Sequence, residues 1–162
     1  MNKLFRNIIA LAVFASILSC TGIYEDGAEL AGDFGKNVEQ ISVADLQKKI
    51  DAGEDFLLID VRQPGEYWTE NIIGSVLIPR GLLEFQIEDE DYWMDQYMYP
   101  PDKNETEIVI YCKSGMRGIL VVRTLKQLGY KNVKNLKGGY DAFNPNQDPD
   151  AQPHASSGGC GG

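Results

Sequence analysis

The sequence predicts an α/β protein built on a doubly wound, mostly parallel sheet of about five strands with helices on both faces. Three observations carry that expectation. Short apolar runs recur at Val38–Ile41, Phe56–Val61, Val76–Ile78, Ile108–Tyr111 and Val133–Leu136, each too brief for a helix. Segments with helical spacing of apolar residues lie between them, the alternation that parallel strands require. Phe56–Val61 and Ile108–Tyr111 are apolar almost throughout, as strands covered on both faces must be.

Each element has its local cause. Ser42, with Asp45 three residues on, resembles a capping box, and Val43, Leu46, Gln47 and Ile50 continue as an amphipathic helix ending near Gly53. Asp60 closes the Phe56–Val61 strand, and Pro64 opens a short helix at a natural first position. Tyr92, Trp93, Met94, Tyr97, Met98 and Tyr99 have a spacing that reads first as core, with a wall or lid of a site as the other use. Arg117 to Leu128 is helical, with Gly129 as its C′ residue and Ile119, Leu120, Val122 and Leu125 available to the sheet. Gly138-Gly139 begins a closing helix.

The chain has 162 residues, enough for one domain, and a formal charge of −9. That surface disfavours nucleic acid and anionic headgroups. Its three cysteines occupy a leader junction (Cys20), a strand end (Cys112) and a glycine tail (Cys160), which is no disulfide framework. Without Cys-x-x-Cys or a His/Cys cluster, no metal site is expected, and His154 reads as idle.

Chemistry is concentrated at Cys112-Lys113-Ser114-Gly115-Met116-Arg117-Gly118. A thiol at the carboxyl end of a buried parallel strand, before a helix N-terminus, sits where open α/β sheets place ligands. Successive amides of a Gly-containing loop converge on an anion, and the helix dipole adds positive potential. Lys113 and Arg117 bring two cations. Each feature favours the thiolate, the nucleophilic form. Apolar packing of a structural cysteine would not call for these neighbours.

These residues resemble the active-site loop of the rhodanese-like sulfurtransferases, Cys-x-x-Gly-x-Arg. The resemblance extends to Asp60-Val61-Arg62-Gln63-Pro64-Gly65-Glu66-Tyr67, to Gly74-Ser75-Val76-Leu77-Ile78-Pro79 and to Gly138-Gly139-Tyr140-Asp141-Ala142-Phe143. It implies a rhodanese-like domain over residues 37–144 and sulfur transfer through a Cys112 persulfide. The donor would be thiosulfate or a similar small anion, and the acceptor cyanide or a thiol. It implies no cofactor. Lys113, Ser114, Gly115, Met116, Arg117 and Gly118 would hold the donor and persulfide, while Asp60 and Arg62 would order the surrounding loops. Read from its residues alone, Asp60 keeps two roles open, a turn or cap and direct chemistry. Where the family often has His before the Ile-x-Gly step, this chain has Asn71, which cannot titrate near neutrality. Arg80 is a further candidate anion contact, or an ordinary surface arginine. A phosphatase of the same fold would need Cys-x5-Arg, whereas Gly118 occupies the sixth position here. A sulfur-carrying or protein-binding module without significant turnover is the alternative function.

Outside the domain, Lys3 and Arg6 precede an apolar core from Ile8 to Leu18, so residues 1–19 read as a secretory signal. Ile17-Leu18-Ser19-Cys20 resembles a bacterial lipoprotein box with Cys20 lipidated. The expectation is a domain anchored to a membrane of the cell envelope and facing the periplasm or exterior. Residues 20–36, rich in Gly and acids, read as a flexible tether, and residues 145–162 as a disordered tail. As a flexible coil, that tail spans roughly 23 Å from Phe143 to Cys160, so Cys160 reads either as an incidental tail cysteine or as a thiol that visits Cys112, to accept sulfur as a relay or to resolve its oxidation as a disulfide.

Overall fold

The computed structural model describes residues 22–147 apart from residue 97. The expected signal sequence, the Cys20 lipidation site, most of the tail with His154 and Cys160, and Tyr97 lie outside the described residues. Within them, no helix is long and apolar enough to cross a membrane.

Among the described residues, twelve elements follow one another: α1 (Gly27–Gly35), β1 (Gln40–Ile41), α2 (Val43–Ala52), β2 (Leu57–Asp60), α3 (Pro64–Thr69), β3 (Val76–Leu77), α4 (Leu83–Gln86), α5 (Glu90–Asp95), β4 (Ile108–Tyr111), α6 (Met116–Gln127), β5 (Val133–Leu136) and α7 (Gly139–Phe143). The strands form one sheet in the order β1-β5-β4-β2-β3, and every pairing is parallel. The expected fold class is the observed one.

This order, combined with right-handed crossovers, dictates where the helices lie. The chain moves in one direction from β1 to β2 to β3, and in the other from β3 to β4 to β5. The helices of the two directions therefore cover opposite faces. One core joins Ile59, Ile108, Ile110 and Val133 to Leu83, Trp93, Val121, Val122 and Leu125, from the side of α4, α5 and α6. The other joins Leu58, Val109 and Tyr111 to Leu46 and Tyr140, from the side of α2 and α7. All four residues of both β2 and β4 are buried, which explains why they are apolar apart from Asp60 at the end of β2. The direction reverses between β4 and β2, and the carboxyl ends of those two strands open a crevice.

Local signals act where expected. Ser42 Oγ accepts the Asp45 amide at 3.1 Å, Gly53 ends α2 in the left-handed region, and Pro64 is the first residue of α3. Two expectations need correction. The segment read as a flexible tether contains α1, capped by Asp26, whose carboxylate accepts the amides of Ala28 and Glu29 at 2.8 Å. Ala31 of α1 is fully buried, and the Arg123 guanidinium of α6 lies 3.5 Å from the centre of the Phe34 ring. A helix with few large side chains suffices here because α6 already presents a built surface to it.

The second correction concerns the aromatic segment. Trp93 is fully buried, but Met94 and Tyr99 are exposed. The α5 helix ends at Asp95, so the helical spacing read beyond it has no helix to act on. Trp93 also donates its indole N–H to the Ile87 carbonyl at 2.9 Å. Trp93→Ala is expected to destabilise the protein by about 3–5 kcal/mol, measured as a lower urea midpoint.

Candidate active site

Cys112 directly follows β4, the middle strand, and so stands at the crevice where the winding reverses. Its backbone neighbours fix the level of the site: the Val61 amide donates to the Tyr111 carbonyl at 2.9 Å. The side chain has no exposed surface. Its sulfur accepts the Gly115 amide at 3.2 Å.

The loop is held from outside by its carbonyls. Tyr140 donates its amide to the Cys112 carbonyl at 2.8 Å, and Asp141 donates to that of Lys113 at 2.9 Å. In a trans peptide the C=O and the next N–H point in opposite directions. Drawing these two carbonyls toward α7 therefore turns the amides of Lys113 and Ser114 away from it. The amides of Met116, Arg117 and Gly118 belong to the first turn of α6, where no intrahelical acceptor exists. The Gly115 amide thus meets the thiol, and the other loop amides are left facing away from α7; successive N–H groups of this kind suit an anion. Lys113 and Ser114 are exposed.

Glycines make the close approach possible. Gly115 has φ +89° at the start of α6 and Gly139 has φ +61°. A Cβ on Gly139 would overlap the carbonyls of Cys112 and Lys113 and the Gly115 amide, and one on Gly118 would overlap Asn135 Oδ1.

Arg117 is not free to face a ligand with its full charge. Its guanidinium donates to both oxygens of Glu66, at 3.2 and 3.1 Å. Burial opposes the charge on each, and the pairing outweighs it: Glu66 is held below the ordinary carboxylate range and Arg117 above its own.

Asp60 and Arg62 form the floor. Asp60 is fully buried; it accepts from the Arg62 amide at 2.8 Å and from Nε at 2.9 Å, and forms an ion pair with Nη2 at 2.8 Å. Arg62 also donates to the Glu70 carbonyl at 2.6 Å. Its guanidinium lies 4.3 Å from the Tyr140 ring centre and 5.5 Å from that of Tyr111. The pair therefore links the ends of β2, α3 and β4 to α7, the position from which loops are ordered. Of the remaining candidates, Arg80 pairs with Glu84 at 3.6 Å, and Asn71 is exposed, donating to the Tyr67 carbonyl. The cavity of about 480 Å³ lined by Phe34, Val38, Arg123 and Lys126 lies between α1 and α6, and neither Cys112 nor its loop borders it.

Glu66, Gly139, Tyr140 and Asn135 were not singled out by sequence reasoning. Glu66 and Gly139 do lie within recognisable motifs, but their partners, Arg117 and the Cys112 loop, are distant in the chain. Asn135 is fully buried beneath Gly118 and carries no signal of its own. Gly139→Ala is expected to destabilise the protein by about 1–3 kcal/mol, because the left-handed backbone strains an alanine and the loop must shift to admit the methyl group. The urea midpoint followed by circular dichroism measures it.

Comparisons with known proteins agree with this geometry. A profile of the rhodanese-like domain matches residues 42–146. A putative thiosulfate sulfurtransferase, mitochondrial, from Schizosaccharomyces pombe is 33% identical over 100 residues, 60% of this chain and 70% of that one. The putative sulfur carrier protein YrkF of Bacillus subtilis is 30% identical over 113 residues, 70% of this chain but only 55% of its own length. Among solved structures, a protein of unknown function from Rhodopseudomonas palustris, described as a possible tyrosine phosphatase, superposes with a TM-score of 0.64. It is 26% identical, over 78% of this chain and 94% of that one. With Cys112 at the switch point, its loop braced by α7 and a family match over most of its length, this chain belongs to the rhodanese-like domain family and has sulfurtransferases among its relatives.

Proposed function

We propose that this chain moves sulfane sulfur from thiosulfate or a similar anionic donor to cyanide or a thiol through a persulfide on Cys112. The observation that carries the reading is the Gly115 amide bonded to the Cys112 sulfur at 3.2 Å, in a loop whose Cys112 and Lys113 carbonyls are held away by Tyr140 and Asp141. In the first step the Cys112 thiolate attacks the outer sulfur of thiosulfate. A sulfur–sulfur bond forms, the bond to the sulfonate breaks, and sulfite leaves with its electron pair. The persulfide anion then lies among the loop amides, which stabilise developing negative charge without reorganising. In the second step the acceptor attacks the terminal sulfur, and Cys112 returns as thiolate. Lys113 draws the donor to the loop, and Ser114 adds a hydrogen-bond donor. The steps need no cofactor. The loop has one residue too few before Arg117 for the Cys-x5-Arg phosphatase cradle.

The leader at residues 1–19 and the box ending in Cys20 support a lipid-anchored domain at the bacterial cell envelope, facing the periplasm or exterior. A carrier that hands persulfide to one protein partner is the second reading, favoured by the likeness to a putative sulfur carrier. Cys160 would be a relay in either case.

The full chain bearing Cys20→Ser, exposed briefly to thiosulfate, is expected to gain one sulfur atom by intact mass. Cys112→Ser should abolish the gain, and cyanide should reverse it. A Cys160→Ser chain that loads but transfers more slowly to thiols would establish the relay. An unchanged mass with a verified reduced thiol would sink the thiosulfate reading.

A further inference from the structure

Glu66 is held in place before Arg117 reaches it. It is the third residue of α3, and its Oε2 accepts the Gln63 amide at 3.0 Å in that helix's own capping interaction. The same carboxylate takes both arms of the Arg117 guanidinium. Both side chains are about one-third exposed, 31% for Glu66 and 35% for Arg117, so the pair sits at the edge of the site and its charge is only partly screened. Lys113 makes no ion pair among the described residues and is exposed. The loop therefore presents one uncompensated cation, not the two that its sequence contains.

We infer that Glu66 is a specificity-determining residue which, by neutralising Arg117, sets the charge of donor that the Cys112 loop prefers: singly charged sulfane-sulfur donors over doubly charged ones. The inference rests on sulfur transfer at Cys112 as proposed above. A row of amides and one lysine balances a single negative charge; a second charge meets the Glu66 carboxylate across the guanidinium. Glu66 acts through Arg117 and need not touch the donor. Its role is separable from holding the fold, because glutamine keeps the same shape and can still accept the Gln63 amide while losing the charge.

Two donors differ in charge but share a reactive outer sulfur. Thiosulfate is a dianion that leaves as sulfite, and methanethiosulfonate is a monoanion that leaves as methanesulfinate. In both, the Cys112 thiolate forms the new sulfur–sulfur bond and the leaving group departs with the electron pair of the old one. Loading rates for both, by intact mass on the full chain bearing Cys20→Ser and Cys160→Ser, give a preference ratio. Glu66→Gln should move that ratio toward thiosulfate by about tenfold. The change should appear in the half-saturating thiosulfate concentration and leave the maximum loading rate within about twofold. Glu66→Asp, which keeps the charge at a shorter reach, should leave the ratio close to that of the parent chain. A ratio unmoved by Glu66→Gln overturns the inference, as does a ratio moved equally by Glu66→Asp, since geometry and not charge would then be at work. A parent chain that loads from neither donor removes the sulfur-transfer reading and this inference together, whereas one that loads from both with a fixed ratio removes only the inference.

Discussion

Two backbone hydrogen bonds set the chemistry of this site. The amides of Tyr140 and Asp141 hold the carbonyls of Cys112 and Lys113, and peptide planarity then decides which way the intervening N–H groups face. Without that restraint, a short loop after a strand would let its carbonyls compete for the space beside the thiol, and their partial negative charge would oppose any anion. The restraint depends on Gly139, whose missing side chain lets α7 approach within hydrogen-bonding distance of the loop. A residue at the far end of the domain thereby governs the electrostatics around the thiol that follows its central strand.

The supports around that contact are charged and buried, which is costly unless each charge is fully partnered. Asp60 and Arg62 meet this requirement through mutual bonds, a carbonyl acceptor and two aromatic faces. Removing either partner would strand the other in the protein interior. The arrangement favours a single geometry at the ends of β2 and β4, the two strands that form the crevice. Glu66 and Arg117 are more exposed, and there the pairing influences charge balance more than stability. The chain is acidic at large, with a formal charge of −9, so any positive potential near the thiol is local to Lys113, the loop amides and the first turn of α6.

The helix α1 extends the domain before the span that the family profile covers, residues 42–146. Its packing shows how a segment of low apolar content becomes ordered when its partner surface is already in place. Ala31 and the Phe34–Arg123 stack supply contacts that no periodicity in the segment itself would justify. The same reasoning explains the aromatic stretch in the other direction. Spacing that looks like a buried stripe loses that meaning when the helix stops after six residues, leaving Trp93 inside and Met94 outside.

By itself the sequence determined the parallel α/β class, the approximate span of each strand, the cap at Ser42 and the helix start at Pro64, and the thiol loop with its neighbours. These are local or periodic properties: a strand buried on both faces must be apolar throughout, and a tight loop before a helix needs glycine. The motifs around Asp60, Gly74 and Gly138 added a family resemblance, and with it the expectation that separate stretches meet. Only the tertiary structure decided how they meet. It brought Glu66 to Arg117 and the amides of Tyr140 and Asp141 to the Cys112 loop, and it placed Asn135 under Gly118. Each of those contacts joins residues far apart in the chain, and neither composition nor spacing records the direction in which a buried side chain or a peptide plane will point.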